Sequence, residues 1–346
     1  MKVGKKMNNL QKLRIFHTSN RWTIAVFITI GISMLIDELG NLFGSTGILS
    51  MGAIAKSLMS TMIGFVIPIM FGADGLVIFS TMIASCLGAG AMYLNDLNEI
   101  SIAVGNPIDA LTTALVATYF GKRLMGKVVF DIIIVPLGII IVVGSIGFGL
   151  SKFIDPIFQI IGQYINQVTE GNPLLLSIIL SIVWGFLTFS PILSVALAIA
   201  LDLNGLAGGA ALAGCVAQFV GLAAISNREN DLKSSITLSI CTPAILLPNI
   251  LENAWIVLPS LVSSVVAGVI STLLFHIEVG KGIVGIGLCA LVTPISLLSE
   301  FGIGMLIPMI VTYLLVPIFI TYTLFFILKK QNLIRRNDLV IQKQFY

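Results

Sequence analysis

The chain has 346 residues, 57% of them hydrophobic and only 10% charged, with a net charge of +3 and a mean hydropathy of +1.05. A soluble domain carries about a quarter charged residues, so this chain cannot cover a water-facing surface. Composition excludes a soluble enzyme or binding module and defines an all-α polytopic membrane protein.

Residues 1–22 hold Lys2, Lys5, Lys6, Lys12, Arg14 and Arg21 with no acid. Residues 329–346 hold Lys329, Lys330, Arg335, Arg336 and Lys343 against Asp338 alone. Basic flanks stay in the cytoplasm, which predicts a plasma-membrane protein with both termini inside and one transmembrane domain over 23–328. Positive-inside anchoring accounts for these charges without a nucleic-acid partner. The first apolar run lacks a small-residue cleavage site and reads as a retained anchor.

A membrane-spanning helix needs about 20 mostly apolar residues. Candidate segments run near 23–43, 48–71, 75–94, 101–120, 128–150, 174–201, 205–226, 232–250, 255–277, 282–300 and 303–328. The basic loop Lys122, Arg123 and Lys127 fits the inside after four crossings, and the acidic stretch 151–173 fits the outside after a fifth. An odd number of full crossings cannot return both basic ends to one side. At least one segment in the second half is therefore predicted to enter and leave on the same face, at "CTPAILLPNILEN" (241–253) or at "VTPISLLSEFG" (292–302).

Proline context supports interrupted helices. Asn106-Pro107, Asp155-Pro156, Asn172-Pro173, Ser190-Pro191, Thr242-Pro243 and Thr293-Pro294 each read as an N-cap followed by a first helical turn. A helix that starts inside hydrocarbon exposes backbone N–H groups, tolerated only against protein or a water-filled cavity. Such discontinuous helices build the substrate sites of many transporters; single pairs read equally as kinks or loop starts. Short internal similarities, "VGNPIDALTTAL" at 104–115 with "EGNPLLLSIIL" at 170–180 among them, hint at duplication.

Ionisable or amide side chains inside a span are expensive, on the order of 2.5–3.5 kcal/mol for a central charge. Asn249, Glu252 and Asn253, spaced three and four apart, share one helical face beyond the break at Thr242. With Trp255 they form a polar strip with an aromatic neighbour, surroundings suited to carbohydrate hydroxyls; an interfacial loop is the competing reading. Asn106 and Asp109 open a helix after Pro107, where plain helix stabilisation is the alternative. Thr293 and Glu300 flank the second break. Gln218 is the amide in the small-residue run "GLAGGAALAGCVAQFVG", whose glycines let helices approach closely. "SNREND" (226–231) reads as a solvated turn, and Lys56 and Asp131 are further in-span charges.

Catalytic chemistry has no foothold. Cys86, Cys215, Cys241 and Cys289 form no paired motif, and His17 and His276 lack clustered partners, so neither a metal site nor a cofactor is expected. There is no Walker lysine and no nucleophile elbow.

"LNGLAGGAALAGCVAQFVGLAAISNREND", "CTPAILLPNILENAWIVLPSLVSSVVAGVISTLLF" and "GNPIDALTTALVATYFGKRLMGKVVFDIIIVPL" together resemble the membrane IIC proteins (EIIC) of the phosphotransferase system, in the branch named after the perfringolysin regulator. That resemblance covers most of residues 100–300. It implies a homodimer of about ten helices with re-entrant hairpins, embedded in lipid and conducting a sugar. Separate EIIA and EIIB phosphocarrier proteins would phosphorylate the sugar and dock at a surface such as the loop Lys122–Lys127. The Gly-Ile-Thr-Glu-Pro signature of better-known sugar IIC proteins has no counterpart, so its glutamate is matched to neither Glu252 nor Glu300. Two other readings stand beside the permease: a non-transporting membrane regulator and an ion-coupled carrier of a non-sugar.

Overall fold

The computed structural model describes residues 31–94, 99–127, 130–280 and 282–341. The basic stretch 1–22, the start of the first apolar segment, Asp96 and Lys343 lie outside the described residues. The described chain is helical apart from one small hairpin, β1 (Met92–Leu94) against β2 (Ile100–Ile102), antiparallel with Tyr93 opposite Ser101. It divides into two compact units, whose described parts are 31–163 with 199–202, and 164–198 with 203–341.

The first unit begins with α1 (Ser33–Phe43), α2 (Thr46–Ser57), α3 (Met59–Met70) and α4 (Gly75–Gly88). Lys56 on α2 pairs with Asp37 on α1, so neither in-span charge stands alone. Helix α5 (Pro107–Leu124) follows the hairpin, and its start obeys the sequence rule. Asn106 Oδ1 accepts from Ile108 N at 2.9 Å, Pro107 fills the first position, and Lys122 and Arg123 complement the last turn. Helix α6 (Asp131–Leu137) runs through a π-helical stretch (Gly138–Val143) into α7 (Gly144–Gly171). Val77, Ala84, Ala117, Val135, Ile139 and Val143 make the core of this unit.

Here the structure corrects one expectation. The acidic stretch 151–173 is not a loop between spans: residues 151–171 continue α7, and Pro156 lies inside the helix rather than starting one. Proline forfeits one backbone hydrogen bond and crowds the preceding turn, but the apolar periodicity on both sides carries the helix through.

In the second unit, α8 (Pro173–Leu187) is capped by Asn172, whose Oδ1 accepts from Leu175 N at 3.4 Å. A turn at Thr188–Ser190 separates it from α9 (Pro191–Ala200), dividing the segment predicted over 174–201. Helix α10 (Gly205–Ser226) is the buried axis: from Ala207 to Ser226 only Ala224 is not buried. Its glycines make this possible, since a Cβ on Gly214 would collide with the Ser181 backbone, and one on Gly209 with the Ile277 carbonyl. After it come α11 (Leu232–Ile240), α12 (Leu247–Glu252), α13 (Leu258–Val269), α14 (Val292–Phe301), α15 (Leu306–Met309) and α16 (Val316–Lys330), with short 3₁₀ and π-helical pieces between them; α11, α13 and α16 pack directly on α10.

Among the described residues five helical stretches are long and apolar enough to cross a membrane: Thr46–Met70, Asp131–Thr169, Gly205–Ser226, Ala254–Leu274 and Ile303–Lys330. Four apolar helical stretches are shorter, Gly75–Gly88, Pro173–Leu187, Pro243–Glu252 and Cys289–Phe301. The last two fall at the two predicted proline breaks. Residues 282–288, expected to begin a span, are turns; Gly282, Gly285 and Gly287 have positive φ and unwind the chain there.

Overpacking the α8–α10 contact tests the role of the small residues. Gly214→Val is expected to cost about 1–3 kcal/mol, read as a lower unfolding temperature of the protein in detergent. Gly149→Ala, where an added Cβ meets nothing within 4 Å, is expected to leave that temperature unchanged or slightly higher.

Candidate functional site

The nine residues singled out from sequence fall in both units: Asn106 and Asp109 in the first, the other seven in the second.

In the second unit the chain breaks twice. At the first break Thr242 is extended and its Oγ1 accepts from Ala244 N at 3.1 Å, capping the 3₁₀ turn Pro243–Leu246. Helix α12 lasts six residues before Asn253 caps the next 3₁₀ turn, Oδ1 accepting from Trp255 N at 3.2 Å. Ile245, Leu246, Ile256 and Val257 anchor these short pieces in a core shared with Leu222, Leu238 and Phe325.

The amides of the polar strip face the C-terminal segment. Asn249 Nδ2 donates to the carbonyls of Asp338 at 2.9 Å and Val340 at 3.0 Å. Asn253 Nδ2 donates to Leu333 O at 2.8 Å and to Asp338 Oδ2 at 2.6 Å. The "SNREND" turn does the same from the other end: Asn230 Nδ2 donates to Leu339 O and Oδ1 accepts from Ile341 N, while Glu229 Oε2 accepts from Leu339 N. Glu229 also meets Lys329, at 3.4 Å. Residues 333–341 thus run as a strap held by side chains, with Ile334, Leu339 and Ile341 in the core. Sequence reasoning missed Glu229, Asn230 and Asp338 as members of this arrangement. The available signal was the apolar triplet Leu339-Val340-Ile341 inside an otherwise basic tail.

Glu252, at the end of α12, and Trp255 are exposed. Gln218 lies deep between helices: its Nε2 donates to Ser264 Oγ at 2.9 Å and its Oε1 accepts from Ser260 Oγ at 2.7 Å. Ser264 Oγ also donates to Gly214 O at 3.0 Å, so the amide clasps α10 to α13 at its least bulky point.

At the second break, Ala290 and Leu291 take left-handed conformations before α14 begins at Val292. The irregular backbone is enclosed by protein, as water-free surroundings require. Ser194 Oγ donates to Gly285 O at 2.8 Å, Trp184 Nε1 donates to Ser194 O at 3.2 Å, and Thr293 Oγ1 donates to Gly287 O. Thr293 therefore ties the loop to the helix rather than capping it, and Pro294 sits within the first turn. Glu300 is exposed near the end of α14, its carboxylate beside Gly280.

In the first unit, Asn106 Nδ2 donates to Asp155 Oδ1 at 2.5 Å, which brings Asp155 to the start of α5, where Asp109 lies three residues beyond Asn106. The sequence reads Asp155 as an N-cap between spans, whereas it lies within α7. Among the described residues no group of three or more His, Cys, Asp or Glu could hold a metal ion.

This is an all-helical, multi-pass membrane protein in which interrupted helices carry the polar side chains. A family model described as "Phosphotransferase system, EIIC" matches residues 16–341, nearly the whole chain, and the chain belongs to that family. It is accordingly a membrane permease component of a sugar phosphotransferase system. Comparison with curated proteins and with solved structures yields no match.

Removing one anchor should loosen the strap locally. Asn253→Ala deletes two hydrogen bonds to residues 333–338, one of them to a carboxylate, worth about 2–4 kcal/mol together. Amide hydrogen exchange at residues 333–341 is expected to accelerate at least tenfold while that of α10 stays unchanged.

Proposed function

We propose that this chain carries a sugar, or a polar molecule of similar size, across the plasma membrane by alternating access. Separate EIIA and EIIB proteins supply the phosphorylation. Within the family the resemblance points to the perfringolysin-regulator branch. The permease works as a homodimer with both termini cytoplasmic, and the basic cluster of Lys122 and Arg123 at the end of α5 with Lys127 just beyond it meets the phosphocarrier partners.

The observation that carries this reading is the pair of breaks around Pro243 and Pro294 in a chain of this family. Short helices that stop inside an apolar protein put backbone ends and polar side chains where a solute can reach them. Glu252 and Glu300 end two such helices with exposed carboxylates, suited to accept from sugar hydroxyls. Thr242 and Thr293 shape the breaks, and Gln218 sets the α10–α13 spacing behind them. Asn249 and Asn253 complete the substrate set of the second unit when the strap gives way, and Asn106 and Asp109 are substrate-binding candidates within the first unit.

The test is uptake into proteoliposomes with the phosphocarrier proteins present, screened across sugars. Glu252→Gln and Glu300→Gln are each expected to cut uptake at least tenfold, which corresponds to about 1.4 kcal/mol, with unfolding temperature unchanged. Wild-type rates in both variants, for every sugar the wild type takes, would remove the site assignment.

A further inference from the structure

Asp109 is the third residue of α5, where an acid ordinarily reaches back to the N-cap backbone N–H. That bond is not made. Asn106 N donates to Ala89 O at 3.0 Å instead, and both carboxylate oxygens of Asp109 are buried without a hydrogen-bond donor. The residue is only 2% exposed. The neighbouring acid is Asp155 on α7, held to the start of α5 by Asn106, three residues before Asp109.

The orientation of the intervening amide is fixed. Because Asn106 Oδ1 accepts from Ile108 N, its Nδ2 must be the group that meets Asp155 Oδ1. Asp155 thus receives a donor, which suits an ionised oxygen, and it is only half-buried. Asp109 receives none.

Among the described residues no cation offsets the pair. Helices α3 and α4, packed on α5, carry no charged residue; their one titratable group is Cys86. The π-helical stretch 138–143 carries none either, and Asp131 at the start of α6 accepts from Gly126 N at 2.6 Å. On α7 the one nearby positive charge is Lys152, exposed and stacked over the Phe148 ring at 4.7 Å. Tyr119, Lys122 and Arg123 lie toward the far end of α5, more than two turns away. One turn beyond Asp109, Thr113 is 1% exposed, its hydroxyl lacks a partner, and it presses on Gly147 of α7. Around Asp109 and Thr113 the contact between α5 and α7 is therefore polar, buried and short of donors.

A carboxylate buried without a donor beside a second carboxylate does not keep its charge unless a cation offsets it. The described residues offer no third acid for a metal cage. We propose that Asp109 and Asp155 form a proton-binding site: one proton rests on Asp109 and is donated to Asp155, which keeps the remaining negative charge and accepts from Asn106. The ligand is a hydrogen ion taken from water; binding forms one O–H bond on Asp109 and breaks none within the protein. The site shares Asn106 and Asp109 with the sugar-permease reading but does not depend on it, since the proton can be detected with no sugar present.

Infrared spectroscopy of the full chain in lipid nanodiscs, with isotope-labelled aspartate, reads the proton directly. The wild type is expected to show a buried aspartic-acid C=O band near neutral pH that Asp109→Asn abolishes. In Asp155→Asn the band is expected to shift, because an amide replaces the carboxylate acceptor; this second variant keeps the test decisive if the first folds poorly. Absence of the band in the wild type, its survival in Asp109→Asn, or an unshifted band in Asp155→Asn overturns the proposal. So does loss of the band on adding sodium at fixed pH, which would make the ligand a metal ion. Failure of sugar uptake alone bears only on the permease reading.

Discussion

The governing constraint is that every backbone N–H and C=O set free by a broken helix must find a partner inside the protein. In water an unwound turn is solvated at no great cost; in an apolar interior each orphaned group costs several kcal/mol. The two breaks meet this demand with short-range devices. Thr242 and Asn253 cap 3₁₀ turns from their own side chains, while Ser194 and Thr293 reach the carbonyls of Gly285 and Gly287. What looks like an irregular path is a sequence of locally satisfied turns, each anchored by one or two apolar residues such as Leu246 or Ile256.

The same constraint explains the distribution of small residues. Unwound backbone occupies space that side chains would otherwise fill, so the helix beside it must be narrow. Helix α10 meets the carbonyl of Ile277 at Gly209 and the backbone of Ser181 at Gly214. With no hydrophobic gradient between helix and lipid to drive association, close approach and interhelical hydrogen bonds do that work. Gln218 with Ser260 and Ser264 is the hydrogen-bonding half of the arrangement, and the glycines are the steric half.

Much of this was legible before any coordinates, and the rest failed for identifiable reasons. Composition gave the class, the Asn106-Pro107 and Thr242-Pro243 pairs gave helix starts, and the apolar run 205–226 gave α10 to the residue. The same proline rule misread Asp155-Pro156, because a dipeptide does not report the helical periodicity running through it on both sides. That error hid the most unusual charge cluster in the first unit, since a residue placed in a loop invites no question about its partner. The segment beginning at 282 failed differently: its hydropathy matched a span, but Gly282, Gly285 and Gly287 outweighed it. Asn249 and Asn253 were recognised as purposeful while their partners, 80 residues and more further along, were not. Pairing across that distance leaves no periodic trace in a single sequence.

The strap also has a temporal side. Asn249 and Asn253 stand beside a break whose hydrogen bonds are completed by residues 333–341, and Leu339 fills a core that Leu222 and Leu246 enter much earlier in the chain. During synthesis the amides of this region must therefore wait, partnered by water or by the insertion machinery, until that late segment emerges. The strap closes the second unit only after the helices it latches have been made, so a ribosome that stalls before Leu333 leaves behind a bundle with its latch missing.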